Sequence, residues 1–380
     1  MVYYSVWHVA LRTVLYDKSR SAITLLGLVF AVGLIFAQLG IYLGLMQSAS
    51  LLIDKTPGDI WITSKNSKNF DFSQPIPEYI YYHVLSNEGI LWAEKLVVAW
   101  GVIKQKKGGT EQVEVVGYNP DTGIGGPWDM KEGDPRAVAN GNFGIIDESA
   151  MRRLGHVEVG DYREVNWRRL QVVGISRGVR SFTTAPIVFT SYKFAQALSG
   201  WIGPDNTVFV VAKVAPGYSR NGVIKDLKKN LENVDVYSKA AFSRKTRLYW
   251  TIETGVGFSF LITILVSFFI GMLIVGQTVY NSTVEHIREF GTLKAMGASN
   301  FDISRLIFSQ ALIKGIVGFL VSLLVTLASL RLYKAADTAM VLKWWVIVLV
   351  FILTLVMCLT ASLVSVRRVR KIDPAILFRS

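Results

Sequence analysis

The sequence predicts a membrane protein of four transmembrane α-helices, with a large α+β extracytoplasmic domain between the first and second. Three observations predict it. Hydrophobic residues make up 51% of the 380 residues, with a mean hydropathy of +0.37, more than a soluble core requires. That apolar content is clustered, because residues 21–53, 254–284, 315–330 and 344–366 carry no formal charge. Between the first two runs lie about two hundred residues of mixed, ordinary composition.

A helix crossing the hydrocarbon core needs roughly 20 residues at about 1.5 Å each. Three of the runs meet that directly, and they are too long for buried helices of a soluble protein. The third is shorter, but an apolar stretch at 306–313 precedes Lys314. A span over about 306–332 forms if Lys314 snorkels or faces the bundle. The expected spans are therefore 21–53, 251–284, 306–332 and 344–366, with a short outer loop at 333–343.

Charge sets the orientation. The chain carries a net +13, yet residues 54–253 hold 26 Lys and Arg against 22 Asp and Glu. The rest of the positive charge flanks the spans, where it governs topology. Arg12, Lys18 and Arg20 precede the first span, Arg288, Lys294 and Arg305 lie between the second and third, and Arg367, Arg368, Arg370, Lys371 and Arg379 follow the fourth. Only Arg331, Lys334 and Lys343 lie near the third-to-fourth connection. Both termini are expected in the cytoplasm of an inner-membrane protein. The basic charge is thus explained by the lipid membrane, without nucleic acid.

Residues 1–20 put Trp7, Leu11, Val14 and Leu15 on one stripe, which fits an amphipathic helix on the inner membrane surface or a cytoplasmic extension of the first span. No short charged tip with a brief apolar core and cleavage site is apparent, so the first span is expected to stay as an anchor. The single cysteine, Cys358, falls in the fourth span, leaving the outer domain without a disulfide.

The outer segment, 54–250, has strand-like runs at 59–63, 112–116, 170–175, 187–190 and 208–211, interspersed with helical stretches at 78–85, 148–154, 192–198 and 221–231. The Gly- and Pro-rich stretch 117–141 reads as its longest loop, with 123–127 a turn. A basic, aromatic helix over 239–252, with Tyr249 and Trp250, leads back to the membrane.

Catalytic groupings are missing. There is no GxxxxGK[ST] phosphate loop, no HExxH or cysteine cluster, and no GxSxG elbow. The four histidines, His8, His83, His156 and His286, are scattered. No cofactor or metal is expected on this chain.

The segment 285–305 is more informative. Glu285, Arg288 and Glu289 stand at i, i+3 and i+4 and share a helical face, beside an apolar stripe of Val284, Ile287 and Phe290. Gly297 stands where a helix would end, and a new one starts from Asp302. The second span should continue inward, pass through a short helix and re-enter as the third. An ordinary solvated hairpin and a docking helix fit this spacing equally well.

The run Arg288-Glu289-Phe290-Gly291-Thr292-Leu293-Lys294-Ala295-Met296-Gly297-Ala298-Ser299 resembles the signature of FtsX/MacB-type ABC transporter permeases. Asp17-Lys18-Ser19-Arg20-Ser21 is similar to the family's approach to its first span. Ile145 to Gly155, with Val159-Gly160-Asp161 and Val172-Val173-Gly174-Ile175, resembles its outer core domain, and Arg367 to Leu377 its C-terminal tail, 367–380 being a basic cytoplasmic tail here. Phe36 to Gly40, Tyr249-Trp250 and Leu353 to Cys358 are similar to the DevC subtype, the heterocyst glycolipid exporter class. The helix Glu285 to Gly291 departs from that subtype toward the general family.

The resemblance implies a MacB/FtsX-like, type VII ABC permease: a homodimer, non-catalytic itself, served by a separate cytoplasmic ATPase that carries ATP and Mg. It further implies a periplasmic membrane-fusion adaptor, often with an outer-membrane channel, and mechanotransmission that exports a lipid, glycolipid or similar amphiphile. Transmembrane signalling to a periplasmic hydrolase and lipoprotein release are the competing family functions. Mapped onto this chain, the coupling helix covers about 284–296. Glu285, Arg288, Glu289 and Lys294 would meet the ATPase, with Phe290 and Met296 on the same helix and Gly291 and Gly297 shaping the turn. Gly33, Gly40 and Gly44 fit a dimer seam or a lipid-facing surface equally.

Overall fold

A computed structural model describes residues 16, 18–105, 108–183, 185–335 and 338–370. The chain divides into two compact units, one over Leu45–Val256 and one from the segments on either side. The expected amphipathic helix lies almost wholly outside the described residues, as does the tail beyond Arg370.

Along the chain, α1 (Lys18–Ala49) is followed by α2 (Leu51–Lys55), β1 (Ile60–Ser64), β2 (Ile76–Pro77), α3 (Tyr79–Leu85), β3 (Ile90–Lys104) and β4 (Thr110–Tyr118). Then come β5 (Met130–Gly133), β6 (Phe143–Asp147), α4 (Met151–Leu154), β7 (Tyr162–Val165), β8 (Arg168–Ser176), β9 (Ile187–Ser191) and α5 (Tyr192–Ser199). The outer unit closes with β10 (Asn206–Thr207), β11 (Phe209–Val214), α6 (Arg220–Asn230), β12 (Val234–Ser238), α7 (Lys239–Leu248) and a π-helical turn at Tyr249–Glu253. The remaining helices are α8 (Val256–Glu285), α9 (Ile287–Ala295), α10 (Asn300–Ala335) and α11 (Trp344–Arg370).

In the outer unit, nine strands run in the order β12-β1-β11-β3-β4-β9-β6-β8-β5, and β7 pairs with β3 and β8. Pairing is antiparallel except for β4 with β9 and β6 with β8. The 15-residue β3 organises the domain: its first half pairs with β11 and its second with β4. Side chains alternate across a strand, so β1 sends Ile60 and Ile62 to one core, with Ile80, Val84 and Leu227, and Trp61 to the larger core, with Phe70, Phe209 and Phe242. Both faces are covered, which is why the whole of β1 is buried.

α1, α8, α10 and α11 are long and apolar enough to cross a membrane. They pack around Leu28, Ile35, Phe36, Val275, Ile307, Val350 and Met357. Lys314 is 6% exposed and so faces the bundle.

Element ends differ from expectation for local reasons. The first span's helix stops at Ala49, because Ser50 (φ −117°, ψ 8°) breaks it and starts α2. α8 begins at Val256, after Gly255 at φ +74°, instead of at 251. α10 begins at Asn300 instead of 306. Its start is fixed by Ser299 and Asp302, since the Ser299 amide and hydroxyl donate to Asp302 Oδ2 (3.0 and 2.6 Å) and the Asp302 amide donates back to Ser299 Oγ (3.2 Å), a reciprocal cap. The stretch 117–141 holds β5 and a 3₁₀ turn at Pro135–Val138, so it is not one continuous loop. Within it, Gly123 and Gly125 take left-handed φ of +68° and +83°, as a tight turn demands.

Candidate coupling helix between the second and third spans

The second span's helix ends at Glu285. His286 leaves helical geometry (φ −84°, ψ 16°), and α9 starts at Ile287. The expected continuous helix over 284–296 is thus two helices with a bend. The bend is held locally: the Phe290 amide donates to the His286 carbonyl (3.0 Å), and His286 Nδ1 sits 2.9 Å from Glu289 Oε1. At the other end the Gly297 amide donates to the Lys294 carbonyl (3.0 Å) and the Ala298 amide to the Leu293 carbonyl (2.9 Å). With Gly297 at φ +99°, this is the two-bond cap in which glycine avoids the Cβ penalty of left-handed backbone.

Residues within α9 divide by face. Phe290 is 5% exposed and packs in the bundle core with Val279, Ile303, Leu306 and Ile307, and Gly291 is buried beside it. Arg288, Glu289, Thr292 and Met296 are exposed, as is Glu285 at the end of α8. Gly291 has no left-handed φ, so it does not shape the turn; it sits inside α9 where the helix meets the bundle. Lys294 is half-buried. Sequence reading missed Phe301, 69% exposed on the first turn of α10. Its position just past the cap is the only signal that could have flagged it. The whole is a charged face with apolar knobs at one end, mounted on a phenylalanine anchor. It offers docking chemistry and no catalytic grouping.

Of the three glycines that fit a dimer seam or a lipid-facing surface, Gly40 and Gly44 are closely approached from within the chain. A Cβ on Gly44 would overlap the Ala339 carbonyl, and one on Gly40 would crowd Met340, whose neighbour Val341 donates its amide to the Gly40 carbonyl (3.0 Å). Gly33 faces Ser322 Oγ, 3.5 Å from where a Cβ would stand. Close backbone approach between α1 and the third-to-fourth connection is what the first two permit.

In the outer unit, an open cleft of about 620 Å³ is lined by Tyr81, Tyr82, Glu94, Asn119 and Tyr192. Lys95 lies over the rings of Tyr81 and Tyr192 (5.2 and 4.9 Å) and pairs with Glu78.

Four apolar helices, a large α+β domain inserted after the first, and a short amphipathic helix joining the second and third define a membrane permease subunit. The family model for the MacB-like periplasmic core domain matches residues 21–230, and that for the FtsX-like permease C-terminal matches 258–374. The chain belongs to the FtsX/MacB-type family of ABC transporter permeases. It is similar to the uncharacterized ABC transporter permease Rv0072 of Mycobacterium tuberculosis (strain ATCC 25618 / H37Rv), at 26% identity covering 96% of this chain and 97% of that one. It is likewise similar to the uncharacterized ABC transporter permease Mb2592 of Mycobacterium bovis (strain ATCC BAA-935 / AF2122/97), at 27% identity over 97% and 98%. Among solved structures, the periplasmic region of MacB from Actinobacillus actinomycetemcomitans matches with a TM-score of 0.40 and 11% identity, covering 50% of this chain and 92% of that one. As an ABC transporter permease, the protein resides in a membrane and works with an ATPase partner.

Proposed function

We propose that this permease transmits ATP-driven movement of a cytoplasmic ATPase, through α9 and the second span, to the outer domain. In this reading it is a non-catalytic inner-membrane subunit with both termini in the cytoplasm, and two copies form the working permease. The outer domain engages a periplasmic adaptor, with or without an outer-membrane channel, to export a lipid, glycolipid or similar amphiphile. The DevC-like stretches alone support the glycolipid cargo. The observation that carries the proposal is the division of α9. Its Arg288–Glu289–Thr292 face is free to meet a partner while Phe290 is locked in the bundle core. A push on that face cannot be absorbed by α9 alone, because packed interiors shift as units.

The test is co-reconstitution with the cognate ATPase in nanodiscs. Arg288→Glu and Glu289→Lys should each insert normally and abolish permease-stimulated ATP turnover. Normal stimulation in both variants would sink the assignment. Signalling to a periplasmic hydrolase would use the same helix, and reading frames encoding an adaptor beside this one separate export from signalling.

A further inference from the structure

Glu114 sits mid-strand on β4, paired with Trp100 of β3 and Ile187 of β9. It is 1% exposed, and neither of its carboxyl oxygens has a hydrogen-bond partner. Asp71, on the segment between β1 and β2, is buried as well, and its charge acts on Glu114. A third buried carboxylate in the domain makes the contrast. Asp147 accepts hydrogen bonds from the Ser149 amide, the Ser176 hydroxyl and the Val179 amide, each at 3.0 Å. Such a donor set keeps a buried charge tolerable. Glu114 has nothing comparable: the nearby Ser181 hydroxyl, 3.1 Å from Thr183 Oγ1, eases its charge without completing a bond to it.

Cations on the surrounding segments are engaged elsewhere. Lys68 pairs with Glu253, Arg177 with Glu148, Lys95 with Glu78, Lys104 with Glu164, and Arg247 bonds Ser243. Besides burial, the Asp71 charge and the Ser181 hydroxyl act on Glu114, and the Trp250 indole and a backbone hydrogen bond act on Asp71.

Asp71 is tied to the chain's return toward the membrane. The Trp250 indole N–H, in the π-helical turn just before α8, donates to Asp71 Oδ2 at 3.0 Å. The Trp100 indole N–H donates to the Asp71 backbone carbonyl at 2.9 Å. Trp250 is stacked on Phe182 at 3.9 Å between ring centroids and flanked by Phe72, which stacks on Trp100.

We propose that Asp71 and Glu114 together hold a single proton that keeps Trp250, and with it the turn leading into the second span, latched to the outer domain. With the proton on Glu114, Asp71 is the lone charge and Trp250 is its donor. When the proton passes to solvent, two unscreened like charges share an apolar cage. The segment carrying Asp71, with Trp250 attached, must then move or admit water. Burial raises both groups above their ordinary values, and the charge of Asp71 pushes Glu114 further, to about 8. That the latch gates transmission through the second span rests on the proposed function; the shared proton does not.

The experiment uses the full-length protein in lipid nanodiscs, labelled with 5-fluorotryptophan, with Trp250→Phe identifying the Trp250 resonance. Between about pH 6 and about pH 10, the infrared carbonyl band of a buried protonated acid should disappear, and the Trp250 fluorine shift should titrate with the same midpoint. In Glu114→Gln the band should be missing and Trp250 should hold its neutral-pH position throughout. Asp71→Asn, which removes the like charge, should lower the midpoint by at least about one pH unit. The proposal fails if Glu114→Gln leaves the band in place, if Trp250 titrates unchanged in that variant, or if Asp71→Asn does not move the midpoint. It fails equally if a chelator shifts the Trp250 resonance at neutral pH, since a cation would then occupy the proton's place.

Discussion

The imidazole Nδ1 of His286 stands 2.9 Å from Oε1 of Glu289, spanning the break where the helix of the second span ends and α9 begins. Glu289 sits in the first turn of α9, where a carboxylate also complements the helix dipole. The contact therefore fixes the bend at both its sides. His286→Ala should leave the fold intact and speed amide exchange in the first turn of α9 by roughly two- to threefold, as expected for losing a helix-surface pair of about 0.5 kcal/mol. Hydrogen exchange on the membrane-embedded protein checks this. Unchanged exchange would mean the backbone alone sets the bend.

Gly44 and Gly33 lie on the same helix but should respond differently to the same change. A Cβ at Gly44 meets the Ala339 backbone, which cannot rotate away, whereas at Gly33 it meets Ser322 Oγ at ordinary contact distance. Gly44→Ala should cost about 1–3 kcal/mol by overpacking, and Gly33→Ala should stay within about 0.5 kcal/mol. Thermal melting of the two variants separates them. If both leave the melting point untouched while dimer cross-linking falls, the glycines form a seam between copies after all.

The β7–β8 hairpin carries strain that is open to measurement. Its two-residue turn, Asn166–Trp167, has φ of +46° and +65°, a conformation that suits Asn-Gly and disfavours a bulky second residue. Trp167 is 80% exposed and so recovers little by burial. Asn166 is anchored, accepting from the Val102 amide at 2.7 Å and donating to the Leu198 carbonyl at 2.8 Å. Trp167→Gly should raise outer-domain stability by up to about 1 kcal/mol, relieved strain being partly offset by glycine entropy. Asn166→Ala should lower it by about 1–3 kcal/mol through lost bonds and a less tolerant left-handed residue. A Trp167→Gly variant that melts lower would show that the indole makes a stabilising contact.

These sites mark what a sequence can disclose. The four spans were legible because charge is absent over long runs within each helix, and α9 because Gly297 marks its end and a new helix follows around Asp302. The bend at His286 was not, since Val284 to Met296 keep a helical period that runs straight across it. β3 was missed because its two halves pair with different strands, β11 and β4, and its burial changes pattern midway around Glu94, Lys95 and Leu96. The partners of Gly44 and Glu114, Ala339 and Asp71, are remote in sequence and meet only in the fold. No local signal could have paired them.

Glu114 gives the outer domain a pH dependence of definite sign. Its ordinary value is 4.5, and burial, reinforced by Asp71, carries it to about 8 in the folded protein. The folded state therefore binds the proton more tightly than the unfolded chain does. The stability this provides is complete below the unfolded value, declines as pH rises between the two, and is gone above about pH 8. The limiting slope for one proton is about 1.4 kcal/mol per pH unit, and Asp71, also raised by burial, adds to the fall at its lower end. Thermal unfolding followed by circular dichroism at acid, neutral and alkaline pH should show the melting point falling across that window. Glu114→Gln should flatten the alkaline part of the fall, because an amide has no proton to lose, even if the amide itself lowers stability uniformly. An unchanged alkaline slope in Glu114→Gln would place the titrating group elsewhere in the domain.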